Sequence, residues 1–400
     1  MTANATHAGK EAGTAPLRVA LFSGNYNYVM DGPVRALNKL VAHLETRGHD
    51  VLVFAPTVKK AAFQHSGELV SVPSLALPGS RSEYRLGLGV HGQVRRRLER
   101  FAPTLIHISA PDYIGFTALK FAIAQKIPAV ASFHTRFDTY PRYYGARWLE
   151  PRLTRYMRWF YNQCEHVYPP SQSMADELAA ENIGRELRLW TRGVDREVFT
   201  PSRRDPDWRR SLGFEPDDVV VVFVGRLVLE KGIDLFADAV VKAQASHPTI
   251  KALIVGDGPE RDRFAARLPG AVFVGYQQDG ALGRAYASGD IFFNPSITET
   301  FGNVTLEAMA CGLPSIVAAA SGSKSLITDG DTGLLRSPDI SANGGADGFA
   351  EALAALAGDA KTRKAMGARA ARTAENYSWT TILDALIRDY RDAIANYTPR

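Results

Sequence analysis

Short apolar runs alternate with segments of helical periodicity twice along this chain, once from Leu17 and again from Val219. A strand, a helix and a second strand in that order do not close as a hairpin. The strands run parallel, with the helix crossing one face of the sheet. Leu17–Phe22 is the first such strand, and Pro33–Arg47 places Leu37, Leu40, Val41 and Leu44 on one helical face. Gly48 supplies the stop and Asp50–Phe54 resumes the sheet. Leu105–Ser109, a helix over Gly115–Gln125 and Ala129–Phe133 continue the pattern. In the second half, Val219–Gly225 is apolar on both faces, as a central parallel strand requires. Lys251–Gly256, Ala271–Gly275 and Ile291–Pro295 follow it as strands, and Ala360–Arg400 reads as purely helical. Thr191–Asp218, rich in Arg, Pro and Asp, reads as a linker. With 400 residues, the chain is too long for one ordinary core and suits two α/β domains.

Composition narrows the compartment and the partners. Two cysteines, Cys164 and Cys311, make neither a disulfide framework nor a zinc site, which fits a reducing compartment. Met1–Pro16 is small and polar, lacks the apolar stretch of a signal peptide, and is expected to be a disordered tail. No apolar run approaches the ~18–20 residues that cross a bilayer. A cytoplasmic protein is expected, with attachment to the inner face of the cytoplasmic membrane left open. A net charge of +5 is too mild to imply a nucleic-acid partner.

The residues that carry chemistry gather at the ends of the second set of strands. Ile297 to Gly312 reads ITETFGNVTLEAMACG, following the strand Asp290–Ser296. Gly302 allows close backbone approach, Asn303 suits a helix N-cap, and the helix start offers free amides to a phosphate. Glu299 on the loop and Glu307 in the helix put two carboxylates at one crevice mouth, suited to sugar hydroxyls. On their own they fit a capped helix with solvated acids equally well. Gly225 to Ile233 reads GRLVLEKGI, where Arg226 as a fork and Lys231 as a point charge suit a diphosphate. On their own these are surface cations, one of them paired with Glu230. Gly256-Asp257-Gly258-Pro259 is a strand-to-helix turn, a weak signal alone. His134, at the end of a first-half strand, reads by itself as a structural histidine.

In this order the motifs resemble those of the retaining family-4 glycosyltransferases of the GT-B fold, over roughly residues 17–390. Glu299 and Glu307 meet the family's E-x7-E pattern, Arg226 and Lys231 its diphosphate pair, and Gly256–Pro259 its GDGP turn. Arg192-Gly193-Val194-Asp195 with Phe199 meets its GVD…F signature, and His134-Thr135 its acceptor-side histidine. The stretches around His134 and Trp190 look most like GDP-mannose-dependent α-mannosyltransferases and sulfoquinovosyl-diacylglycerol-synthase-type lipid enzymes. The resemblance implies two Rossmann-like domains facing across a cleft. Residues 17–195 form the acceptor side, 196–375 the nucleotide-sugar side, and 376–400 a helix crossing back to the first domain. It implies that Glu307 holds the ribose and Glu299 the transferred sugar. Arg226 and Lys231 neutralise the leaving diphosphate, assisted by backbone amides of Phe301, Gly302, Asn303 and Val304. Val274 and its neighbours Phe273, Gly275 and Tyr276 meet the base, and no metal or other cofactor is needed. The partners implied are a nucleotide-sugar donor and a lipid or lipid-linked acceptor.

One departure stands out. Many family members carry adjacent glycines after the first strand, whereas here Gly24 and Gly32 are separated by two tyrosines, Tyr26 and Tyr28. Gly24 is the residue expected close to the donor, and the tyrosines are expected to shape the acceptor pocket. The arginines Arg136, Arg142, Arg147, Arg152, Arg155 and Arg158 alternate with Trp and Tyr, and Arg95, Arg96, Arg97 and Arg100 form a second cluster. A helix from Trp148 carrying Arg152, Arg155 and Arg158 is expected either to rest on an anionic membrane, with Arg95–Arg100 adding to the surface, or to be an ordinary solvated helix packed by its apolar stripe. Competing functions are a UDP-sugar-dependent transferase acting on diacylglycerol or another glycolipid, a nucleotide-sugar epimerase or soluble sugar-phosphate transferase, and a non-catalytic nucleotide-sugar-binding scaffold.

Overall fold

The computed structural model describes residues 15–29, 31–76, 84–134, 136, 147–339 and 345–399. Residues 1–14 of the expected tail, together with Thr135 and Arg142, lie outside them. The chain forms two compact units. One comprises the residues up to Pro170, Ala175–Trp190 and Thr380–Arg400; the other comprises Ser171–Met174 and Thr191–Trp379.

The first unit begins with β1 (Arg18–Phe22), α1 (Gly32–Thr46), β2 (Asp50–Ala55) and β3 (Glu68–Ser71). A short ribbon, β4 (Ser74–Ala76) and β5 (Arg85–Gly87), precedes α2 (Gly92–Phe101). Then come β6 (Leu105–Ile108), α3 (Tyr113–Gln125), β7 (Ala129–Ser132), α4 (Glu150–Tyr161), β8 (Val167–Tyr168) and α5 (Gln172–Ala180), which belongs to this unit from Ala175 on. Its six-stranded sheet is parallel in the order β3-β2-β1-β6-β7-β8. Asp31 caps α1 by accepting from the Val34 amide, and Gly48, at φ 81°, follows the helix end. The two loop tyrosines differ in burial, Tyr28 being half-buried. Tyr26 is fully buried and donates to the Ser66 carbonyl at 2.8 Å, while Tyr28 donates to the Gly24 carbonyl and accepts from the Arg85 amide.

The second unit contains α6 (Pro206–Ser211), β9 (Val219–Val224), α7 (Ile233–Ser246), β10 (Ile250–Val255), α8 (Arg261–Arg267) and β11 (Val272–Phe273). It continues with α9 (Asp279–Ala287), β12 (Ile291–Asn294), α10 (Asn303–Ala310), β13 (Ser315–Ala318), α11 (Ser321–Leu326) and β14 (Gly333–Arg336). The helices α12 (Gly345–Gly358) and α13 (Ala360–Ala374) follow. Its sheet is again parallel, in the order β11-β10-β9-β12-β13-β14, with β9 central. The alternation of β9 sets both cores. Val219, Val221 and Phe223 pack with Phe236 and Phe264 on one face, and Val220 and Val222 pack with Tyr286 and Leu306 on the other.

The helical end of the chain is interrupted: α13 stops at Ala374, and α14 (Trp379–Ala395) follows. From Thr380 onward the chain belongs to the first unit. There Leu383, Leu386, Ile387 and Tyr390 are buried, and the Tyr390 hydroxyl meets His107 Nδ1, whose Nε2 lies 2.5 Å from Ser132 Oγ. Asp384 accepts from Arg47 and from His43 Nε2 at 2.7 Å, and Arg188 pairs with Asp389 and Asp392.

Candidate functional site in the second unit

In a parallel sheet the carboxyl ends of the strands point into loops that lead to helices, and ligands bind there. The loops after β9, β10 and β12 are packed tightly at that edge. The Gly225 amide donates to the Val255 carbonyl at 3.0 Å, and Leu227 donates to Asp257 at 2.9 Å. Gly256 has φ 136°, and a Cβ there would stand 1.9 Å from the Gly225 carbonyl oxygen. The GDGP turn is therefore glycine for a reason internal to the protein: it lies on the backbone of the loop that carries Arg226. Gly256 in turn donates to the Gly275 carbonyl, which fixes the segment after β11 where Val274 is half-buried and Tyr276 exposed.

Lys231 ends a single 3-10 turn, Leu229–Lys231, and its Nζ donates to Glu299 Oε1 at 2.6 Å. Two residues 68 apart in sequence, from separate motifs, are thus in direct contact, with side chains 29% and 16% exposed. The alternative pairing of Lys231 with neighbouring Glu230 is not the one adopted. Arg226 is exposed on the same loop. Phe301 is buried against Tyr377, so only its backbone can serve a ligand.

Helix α10 starts one residue away from the position its sequence suggests. Gly302, at φ 96°, is the N-cap, and Asn303 is already helical, so the asparagine side chain does not cap. The first amides of any helix lack an intrahelical acceptor, and here those belong to Asn303, Val304 and Thr305; Thr305 N also reaches the Gly302 carbonyl at 3.0 Å. Glu307, in the second turn, accepts from the Tyr286 hydroxyl at 3.0 Å. Tyr286 is fully buried on α9, and nothing in its helical spacing distinguishes it from an ordinary core residue.

His134 lies in the first unit, two residues past β7, half-buried with its ring 5.8 Å from that of Trp190. Gly24 is also there. A Cβ on it would meet Asp112 Oδ2 at 2.4 Å, so its smallness accommodates a carboxylate of its own chain. Asp112 caps α3 through the Gly115 amide, and burial pushes its carboxyl up to about 6 against the pull of the backbone amides of Gly115 and Ile114.

Residues 30–198 match the family model of Glycosyltransferase Family 4, and residues 204–373 match that of Glycosyl transferases group 1. A GDP-mannose-dependent alpha-mannosyltransferase of Mycolicibacterium smegmatis is 33% identical over 96% of this chain and 100% of its own length. The chain belongs to the family-4 glycosyltransferases. Sulfoquinovosyl transferase SQD2 of Arabidopsis thaliana is 31% identical over 92% of this glycosyltransferase and 72% of SQD2. Among solved structures, sucrose-phosphate synthase from Thermosynechococcus elongatus superposes with a TM-score of 0.76 at 20% identity, covering 95% of this chain and 99% of that one. HepE from Anabaena, in complex with UDP and glucose, gives 0.73 at 20% identity over 94% and 100%. The fold of this glycosyltransferase is GT-B.

Proposed function

We propose that this glycosyltransferase moves a hexose, with mannose first among the sugars, from a GDP-sugar to a lipid or lipid-linked acceptor, with retention of configuration and without a metal. The observation that carries the reading is the contact of Lys231 with Glu299, which unites the cationic and acidic motifs at one strand edge. In this reading Glu299 holds hydroxyls of the departing sugar and orients Lys231. Lys231 and Arg226 then meet the charge that develops on the diphosphate as the glycosidic bond breaks, the main electrostatic demand of the transition state. The α10 amides share that charge, Glu307 takes the ribose, and the acceptor attacks from the face the diphosphate leaves. The GDP-mannose donor rests on the mannosyltransferase relative. A UDP-sugar donor finds support in the UDP complexes of HepE, and a diacylglycerol-type acceptor in the alpha-monoglucosyldiacylglycerol synthase of Acholeplasma laidlawii, 26% identical over 80% of this chain and 84% of its own length.

The lipid acceptor is supported by α4 and its approach. Trp148 is 66% exposed with Arg152 stacked over its ring, Trp159 is 40% exposed, and Arg155 points to solvent. Aromatic rings and arginines together suit a lipid interface. No helix of the described residues is long and apolar enough to cross a membrane, so the attachment proposed is peripheral, at the cytoplasmic face. The test is a thermal-shift screen of GDP- and UDP-sugars against the protein and its Lys231→Ala and Glu307→Gln variants. A ligand of the folded state at a hundredfold excess over its Kd adds about 2.7 kcal/mol of stability. GDP-mannose is expected to raise the melting temperature of the parent most, and both variants are expected to melt normally but lose most of that response and of the transfer rate. Near-parental shift and turnover in both variants would end the assignment.

A further inference from the structure

The GVD…F segment shares no strand edge with the donor loops, yet it is in contact with the site. Asp195 Oδ1 accepts from the amides of Glu197 and Val198, and Phe199 N donates to the Asp195 carbonyl at 2.8 Å, closing a turn. That turn presses on α9. A Cβ on Gly283 would stand 2.1 Å from the Val198 carbonyl oxygen, so the backbone of the segment lies directly on the helix. One turn later on α9, Tyr286 receives the Phe199 ring edge-on at 5.8 Å and the Phe292 ring from β12 at 5.8 Å. Its hydroxyl ends on Glu307 Oε2. One turn past Glu307, at the C-cap of α10, Cys311 Sγ lies 3.9 Å from the Gly283 carbonyl, a second contact between the end of α10 and α9.

We propose that Tyr286 is a positioning residue for donor binding: its buried phenol holds Glu307 in the rotamer that meets the ribose hydroxyls, and Phe199 braces the ring. This rests on the reading of Glu307 as the ribose contact. A glutamate on the first turns of a helix has three rotatable bonds, and a carboxylate free to turn would lose much of its orientation on binding. A charge-assisted bond from a packed aromatic ring removes that freedom before the donor arrives. Burial first, and then the Glu307 charge, push the Tyr286 phenol well above its ordinary value, so at neutral pH it stays an O–H donor. The signature between the two halves of the sequence thereby gains a physical role, because its turn keeps the ring that keeps the carboxylate.

The experiment compares calorimetric affinities for GDP and UDP with those for their 2′,3′-dideoxy counterparts. Whichever base binds, the parent is expected to prefer the ribose form by about tenfold or more. Glu307→Gln removes that preference. Tyr286→Phe, which deletes only the hydroxyl, cuts it severalfold, leaves affinity for the dideoxy form unchanged, and adds nothing in the double variant. Phe199→Leu, which keeps the hydroxyl but loosens the ring, gives an intermediate preference. Retention of the ribose preference by Glu307→Gln overturns the ribose reading and the proposal with it. Loss in Glu307→Gln with full preference in both Tyr286→Phe and Phe199→Leu overturns the proposal alone, as does an equal loss of affinity for ribose and dideoxy forms in Tyr286→Phe.

Discussion

His134 and the Lys231–Glu299 pair make different demands on an experiment, because they lie in different units. If His134 serves the acceptor, His134→Ala lowers the transfer rate about tenfold or more, the effect of one lost polar contact, while donor affinity stays within about twofold. Parental transfer in that variant would make His134 a packing partner of Trp190 and nothing else. For the cations, the expectation is that transfer in EDTA keeps most of its rate, because in the proposed reading Arg226 and Lys231 supply positive charge where a divalent ion otherwise would. Complete loss in EDTA, restored by magnesium or manganese, would assign the charge to a metal. The individual residues of the site were readable in sequence to the extent that they belonged to linear motifs. Tyr286 and Asp112 were not, because each takes its significance from a neighbour distant in sequence: Glu307 in one case, Gly24 in the other.

At the level of elements, the strands with long apolar runs were legible and the weak ones were not. β9 announces itself by six apolar residues in a row, whereas β3 is half-exposed along its length and carries Glu68 and Ser71, so it looks like loop. β13 and β14 are four residues each, too short for a periodicity to show, although Gly312-Leu313-Pro314 and Asp329-Gly330-Asp331 mark turns ahead of them. The N-terminus of α10 was misplaced by one residue because cap preference ranks asparagine over glycine, but the left-handed turn before the helix admits glycine more readily. Helix α4 shows the limit of reading charge from composition. Of its arginines and their neighbours, Arg158 donates to the Glu181 carbonyl, Arg136 pairs with Glu181 and Glu177, and in the other cluster Arg95 and Arg97 pair with Glu99 and Glu68. On the proposed reading, Arg152, Arg155 and the two tryptophans contribute to membrane attachment. At about 1 kcal/mol for each cation near an anionic surface, Arg152→Gln with Arg155→Gln lowers the partition onto anionic vesicles by roughly thirtyfold. Co-sedimentation at low and high salt checks this; equal recovery with neutral and anionic vesicles would leave only a solvated helix.

At the scale of the molecule, one contribution to acid stability comes from the buried contact between α14 and the first sheet. Burial pushes His107 down to about 3, while an unfolded histidine titrates near 6.5. Between those values the unfolded chain binds a proton that the folded chain refuses, so this contribution is complete above the unfolded value and is lost as the pH falls toward the folded one. The slope for one proton is about 1.4 kcal/mol per pH unit, so from pH 6.5 to 5 the parent is expected to lose roughly 2 kcal/mol more than His107→Gln does. Urea midpoints across that range measure it, with parallel curves for the two proteins as the contrary result. Asp112 works in the opposite sense: its raised carboxyl contributes stability at low pH that is lost as the pH rises through about 6. Only the difference between variant and parent isolates the histidine.

The division of the chain also sets an order of events during synthesis. The first unit owns the earliest strands and also α14, made after the whole of the second unit. While the ribosome is still translating β9 to α13, the sheet of the first unit exists without its last helix, and the apolar surface that Leu383, Leu386 and Ile387 will cover, along with His107, is open to water or to a chaperone. A stop codon after α13 would therefore spare every donor-site residue named above and still leave the other unit unfinished, so premature termination should reach the cell as a quality-control substrate rather than as a weak enzyme.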